Sequence, residues 1–133
     1  RELVELAPRL LATGLTIVVD HVARIRPEEG VAAPAFATLG AMLDTGRCWV
    51  KLSGLHRMSR EKWPWHDMRA QVEAVLAARP DRALWGTDWP HPNHHDWMPN
   101  DGDLFDAFAE WVPDAAMRRR VLVHNPAELY GFA

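Results

Sequence analysis

Apolar residues along this chain fall into two alternating rhythms. Leu3, Leu6, Leu10 and Leu11 recur at helical spacing and predict a helix over 3–13, ended by Gly14. Pro8 is expected to limit how far that helix reaches towards its N-terminus. Leu15-Thr16-Ile17-Val18-Val19 follows, a β-branched run that predicts a strand buried on both faces. A loop over 22–34 carries Pro27, Gly30 and Pro34. The spacing of Phe36, Leu39 and Leu43 predicts a helix over 35–45, with Gly46 just beyond it. Residues 48–53 predict a second strand, closed by Gly54. Met68, Val72, Val75 and Leu76 form the inward stripe of a helix over 67–79, stopped by Pro80. Residues 83–88 predict a third strand. An irregular loop spans 89–102, helices span 103–112 and 114–123, and a short helix follows Asn125-Pro126.

Strands that alternate with helices predict right-handed crossovers and a parallel α/β sheet. Three such strands bury themselves poorly, and a sheet covered on one side leaves an apolar face open. The expected fold is therefore the C-terminal part of a (β/α)8 TIM-like barrel, with strands missing on the N-terminal side. Residues 1–133 form one unit, without repeat, low-complexity tract or linker.

Composition narrows the function. Of 133 residues, 48% are hydrophobic and 25% charged, which excludes wholesale disorder. A net charge of -3 gives no basic footprint for a nucleic-acid partner. No apolar run is long enough to cross a membrane. Cys48 is the single cysteine, so no internal disulfide or cysteine-built zinc site exists. That usage fits a reducing compartment, and the expected location is cytoplasmic.

Parallel α/β folds bind ligands at the C-terminal ends of their strands. Here those ends read Asp20-His21, Ser53-Gly54 and Asp88-Trp89-Pro90-His91, each an apolar strand turning polar at its exit. His21 fits a metal ligand, a general base or a histidine bonded to backbone. Asp88 fits a metal ligand or a base that takes a proton from water. Arg24 and Arg57 follow the first two exits and fit either a bidentate grip on a carboxylate or a solvated surface. Lys51, inside an apolar strand, needs a partner and reads equally as an ion pair or a site residue. His94-His95 reads as surface or lid, and His56, His66 and His124 as structural or exposed. Cys48 opens a strand far from its exit, which argues against a catalytic thiol. Nucleotide-binding, nucleophile-elbow and His-Glu-x-x-His signatures are absent.

Val19-Asp20-His21, Trp49-Val50-Lys51-Leu52-Ser53-Gly54 with Arg57, Trp85-Gly86-Thr87-Asp88-Trp89-Pro90-His91-Pro92 and Asn125-Pro126-Ala127-Glu128-Leu129-Tyr130-Gly131-Phe132 come in the order of the amidohydrolase-related family. Nearly the whole chain resembles its branch of 2-pyrone-4,6-dicarboxylate lactonases and sulfomuconolactone hydrolases. The resemblance implies a barrel enzyme that hydrolyses a small carboxylated cyclic ester. It implies that Asp88 activates water and that His21 polarises the carbonyl. It further implies that Arg24 and Arg57 hold substrate carboxylates, with His91 as a further polar contact. His21 and Asp88 are also its metal-ligand candidates, for zinc or manganese, although metal use varies across the branch. The family's first-strand His-x-His pair is missing. A whole barrel needs roughly 250 residues, so the chain is expected to be a fragment with little activity alone. Two alternatives stand beside the lactonase. One is a metal-dependent decarboxylase on the same scaffold. The other is a non-catalytic piece, such as a half that oligomerises or pairs with a complementing N-terminal half.

Overall fold

All three apolar runs that read as strands lie side by side in one parallel sheet in the computed structural model, which describes residues 2–92 and 96–132. The order is β1 (Ile17–Val19), β2 (Cys48–Leu52), β3 (Ala83–Trp85). Ile17 pairs with Cys48 and Val19 with Val50, while Val50 pairs with Ala83 and Leu52 with Trp85. This register brings the three C-terminal exits level, next to Asp20, Ser53 and Gly86.

Helices α2 (Pro34–Asp44) and α3 (Arg69–Ala78) supply the two crossovers, and α1 (Glu2–Ala12), which precedes β1, packs beside α2. Helix α4 (Asp101–Trp111) follows the long loop, and α5 (Ala115–Arg119) runs through a π-turn at Arg120–His124 into α6 (Asn125–Tyr130). The core is made by Val50 and Leu52 of β2, Leu39, Met42 and Leu43 of α2, Val72 and Val75 of α3, and Phe108 of α4, all nearly inaccessible. Burying one such side chain is worth about 1.5–3 kcal/mol. The stripes of α2 and α3 are as their spacing predicts, save that Phe36 is half-buried.

Four expectations need correction. First, β1 is not buried on both faces: Val18 is 36% exposed and Leu15, outside the strand, 67%. It is an edge strand, so a β-branched run alone does not reveal whether a neighbour covers it. Second, Pro8 sits inside α1 without limiting it. Pro8 is exposed, and the one hydrogen bond it removes leaves a carbonyl that water can satisfy. Third, β3 stops at Trp85 rather than at 88. Asp88 lies beyond it with φ 76°, in the left-handed region. Helix α4 likewise starts at Asp101 rather than 103, because the Asn100 side chain caps it by accepting from the Gly102 amide at 2.7 Å.

Asn125 ties the C-terminal segment to the sheet. Its buried Nδ2 donates to the carbonyls of Pro80 and Ala83, both at 2.7 Å. Arg82 at the same corner donates to Glu128 at 2.8 Å and lies 4.6 Å from the Trp49 ring centre.

Candidate active site

The chain leaves β1 in an uncommon way. His21, Val22, Ala23 and Arg24 all have φ between 48° and 56°, a left-handed turn made without glycine. Each such residue costs about 1–2 kcal/mol against the right-handed form. Fully buried Val22 anchors the turn from inside, and the amide of Ala23 bonds the Asp20 carbonyl at 3.0 Å. The result swings His21 back across the exit of β2. Its ring lies so close to Gly54, itself left-handed at φ 59°, that a β-carbon there would stand 2.6 Å from Nδ1. Ser53-Gly54 is thus the only kind of exit that leaves room for the ring: a small polar residue and then none at all.

Strand exits one, two and three then meet in one line of close polar contacts, two of them hydrogen bonds. His21 Nδ1 is 2.9 Å from Ser53 Oγ. Its Nε2 is 3.3 Å from Asp88 Oδ1. Arg57 donates to Asp88 Oδ2 at 2.8 Å. A proton on Nε2, the nitrogen facing the carboxylate, leaves Nδ1 to accept from the serine hydroxyl, so one tautomer suits both neighbours. The side chains of His21 and Asp88 are only 18% and 14% exposed. They line a cleft of about 340 Å³ together with Asp20, Lys51, Ser53, Thr87 and Trp89. Lys51, open in sequence, is ion-paired: Nζ lies 2.9 Å from Asp20 Oδ1, and that hydrogen bond holds its pKa above the usual lysine value. Burial pushes the Cys48 thiol up to about 11, which removes it as a nucleophile near neutrality.

The two arginines part company. Arg57 is committed to Asp88 through one nitrogen. Exposed Arg24 lies in a separate groove of about 380 Å³, which Arg57 also lines and which shares no lining residue with the Asp88 cleft. His91, expected as a substrate contact, does not line the Asp88 cleft. Its side chain is 1% exposed, and Nε2 is 2.9 Å from Asp101 Oδ1. Buried His56 stacks edge-on against it at 5.4 Å between ring centres. Of the described part of the long loop, Trp89 lines the cleft, whereas Trp97, Met98, Pro99 and Asn100 line a separate hollow beside His56, Trp63 and Trp65. His94-His95 lies outside the described residues. Sequence reasoning put Ser53 at a strand exit without giving it a role, read His56 as structural or exposed, and did not single out Asp101. Ser53 sits at a strand exit and was findable there, but nothing in the local pattern marks the other two.

As a metal site, His21 and Asp88 offer two donors, and among the described residues no third histidine, cysteine or acid joins them. Two donors do not hold a divalent ion, which takes at least three.

The amidohydrolase family pattern matches residues 2–132. The chain belongs to the amidohydrolase family. A 4-sulfomuconolactone hydrolase of Hydrogenophaga intermedia is 40% identical over 128 residues, covering 95% of this chain and 42% of that protein. A D-galactarolactone isomerase of Agrobacterium fabrum is 34% identical over 125 residues, covering 92% and 43%. Among solved structures, a probable 2-pyrone-4,6-dicarboxylic acid hydrolase of Acinetobacter baumannii with citric acid bound superposes with a TM-score of 0.82 at 28% identity, over 98% of this chain and 49% of that one. This amidohydrolase chain therefore spans less than half the length of the relatives it matches. Its α/β sheet corresponds to that part of their fold. No described helix is long and apolar enough to cross a membrane.

Proposed function

We propose that this chain supplies three consecutive strand–helix units of a larger (β/α)8 barrel, and that the completed barrel hydrolyses a small carboxylated lactone. The observation that carries the reading is the His21–Asp88 contact across the exits of β1 and β3, inside one cleft. The relatives add that proteins of this kind act on lactones.

In this mechanism Asp88 takes a proton from water, and the water oxygen attacks the ester carbonyl. His21 donates from Nε2 towards the carbonyl oxygen as negative charge develops there. The carbonyl carbon–ring oxygen bond breaks, the ring oxygen takes the proton, and an acyclic carboxylic acid leaves. Arg57 uses one of its five N–H groups to fix the Asp88 carboxylate. Its remaining donors, with Arg24 in the groove that both arginines line, suit the carboxylates of the substrate. No step here needs a metal at His21 and Asp88.

The isomerase relative favours a second reading, in which a free hydroxyl of the substrate, rather than water, attacks the lactone carbonyl as Asp88 takes its proton, the old ring C–O bond breaks, and the released ring oxygen takes that proton. Turnover in ¹⁸O-water separates the two. Hydrolysis places one ¹⁸O in the product carboxylate; isomerisation leaves the lactone unlabelled. A panel of carboxylated lactones against aromatic acids tests the reaction class. Carbon dioxide release from the acids, with the lactones untouched, would replace the hydrolase with a decarboxylase.

A further inference from the structure

Around Asp88 the structure holds a second cluster, which does not include His21. One ligand-capable atom each from His56, Asp88 and His91 lies within 4.8 Å of the others. His56 and His91 are both buried, at 5% and 3% exposure. We propose that these three residues form a binding site for a divalent transition ion of the zinc type, distinct from the His21–Asp88 pair.

The argument rests on His91. Its Nε2 faces the Asp101 carboxylate at 2.9 Å, so the proton belongs on Nε2. That places a bare lone pair on Nδ1. Nδ1 is fully buried and finds no hydrogen-bond partner among the described residues. A buried, unpaired acceptor costs about 1–3 kcal/mol, and a cation removes that cost. The arrangement is also how metal-binding histidines are commonly held, with a carboxylate orienting the ring through the far nitrogen. Asp88 and His91 are both left-handed, at φ 76° and 53°, and are joined by a bond from the His91 amide to the Asp88 carbonyl at 2.8 Å. This tight turn sets carboxylate and imidazole side by side, and His56 closes the third side against His91. Two imidazoles and a carboxylate suit zinc or cobalt better than calcium or magnesium, which take oxygen ligands. Asp88 has acceptor capacity left, since a carboxylate offers about four lone-pair sites and His21 and Arg57 each engage one oxygen. The Arg57 charge weakens the site, so binding should be of moderate strength.

The test is metal binding by the purified chain, read without any activity assay. Co²⁺ is titrated while its visible absorption is followed, and Zn²⁺ stoichiometry is measured after dialysis. The expected result is about one ion per chain. Affinity should fall at least tenfold in His91→Asn and in His56→Phe, fall less in Asp101→Asn, and persist in His21→Asn. Circular dichroism confirms that each variant is folded, and the conservative His56→Gln replaces any that is not. Absence of stoichiometric binding overturns the proposal. So does binding that survives loss of both His56 and His91 but disappears with His21, which would put the ion on the His21–Asp88 pair.

Discussion

At the scale of single residues, the site works by crowding. Gly54 has no side chain because the His21 ring occupies that space. Gly54→Ala should therefore push the imidazole away from Ser53 and strain a φ of 59° as well. We expect a loss of about 1–3 kcal/mol of stability, measured by urea denaturation, with a parallel loss of turnover. Full stability in that variant would show the ring to be elsewhere. Lys51 gives a pH prediction. Its pKa is raised above 10.5 by Asp20, so the pair's contribution is present below pH 10.5 and lost as pH rises through the higher folded value. The stability difference between the native chain and Lys51→Met should stay constant from pH 7 to 10 and shrink above that; a difference that grows in alkali contradicts the pairing. Residue identity at the strand exits was legible in the sequence, because Asp20-His21, Ser53-Gly54 and Asp88 interrupt apolar runs. The use of Arg57 was not, since only the three-dimensional contact distinguishes an arginine that grips substrate from one that grips Asp88.

At the scale of elements, turns carry what strands cannot. The left-handed run at 21–24 contains no glycine, so no sequence signal announces it; it is held by the burial of Val22 and by contacts remote in sequence. The helices were legible because their stripes are long and regular, as in Met68, Val72, Val75 and Leu76. Their ends were less so, because caps such as Asn100 shift them by a turn or less. The Asn125-Pro126 motif has a structural meaning. Asn125→Ala removes two hydrogen bonds from buried carbonyls and should cost about 1–3 kcal/mol. Thermal melting checks this; a value within a few tenths of a kcal/mol of the native chain would show that those carbonyls are satisfied another way. Cys48 tests the packing of β2. With its thiol pushed up to about 11 by burial, it should resist alkylation in the folded chain at pH 8 and react once the chain is unfolded in urea.

At the scale of the whole molecule, the open question is the edge. A strand with Val18 36% exposed is a strand with room beside it, and the relatives are more than twice as long as the matched segment. Hydrogen exchange on the isolated chain should show Ile17–Val19 exchanging well before Val50 and Leu52, because only β2 is flanked on both sides. Equal protection of β1 and β2 would mean that something already covers the edge. The parallel sheet was legible from the alternation of strand and helix. The exposure of β1 was not, since an edge strand can have the composition of a buried one.

The central claim is that Asp88, held by His21 and Arg57, removes the proton from the attacking water. The most direct measurement is steady-state hydrolysis of a carboxylated lactone by the completed barrel carrying Asp88→Asn. A fall in kcat of about 10²–10⁴-fold with KM nearly unchanged is the predicted result; turnover at the native rate would contradict the claim.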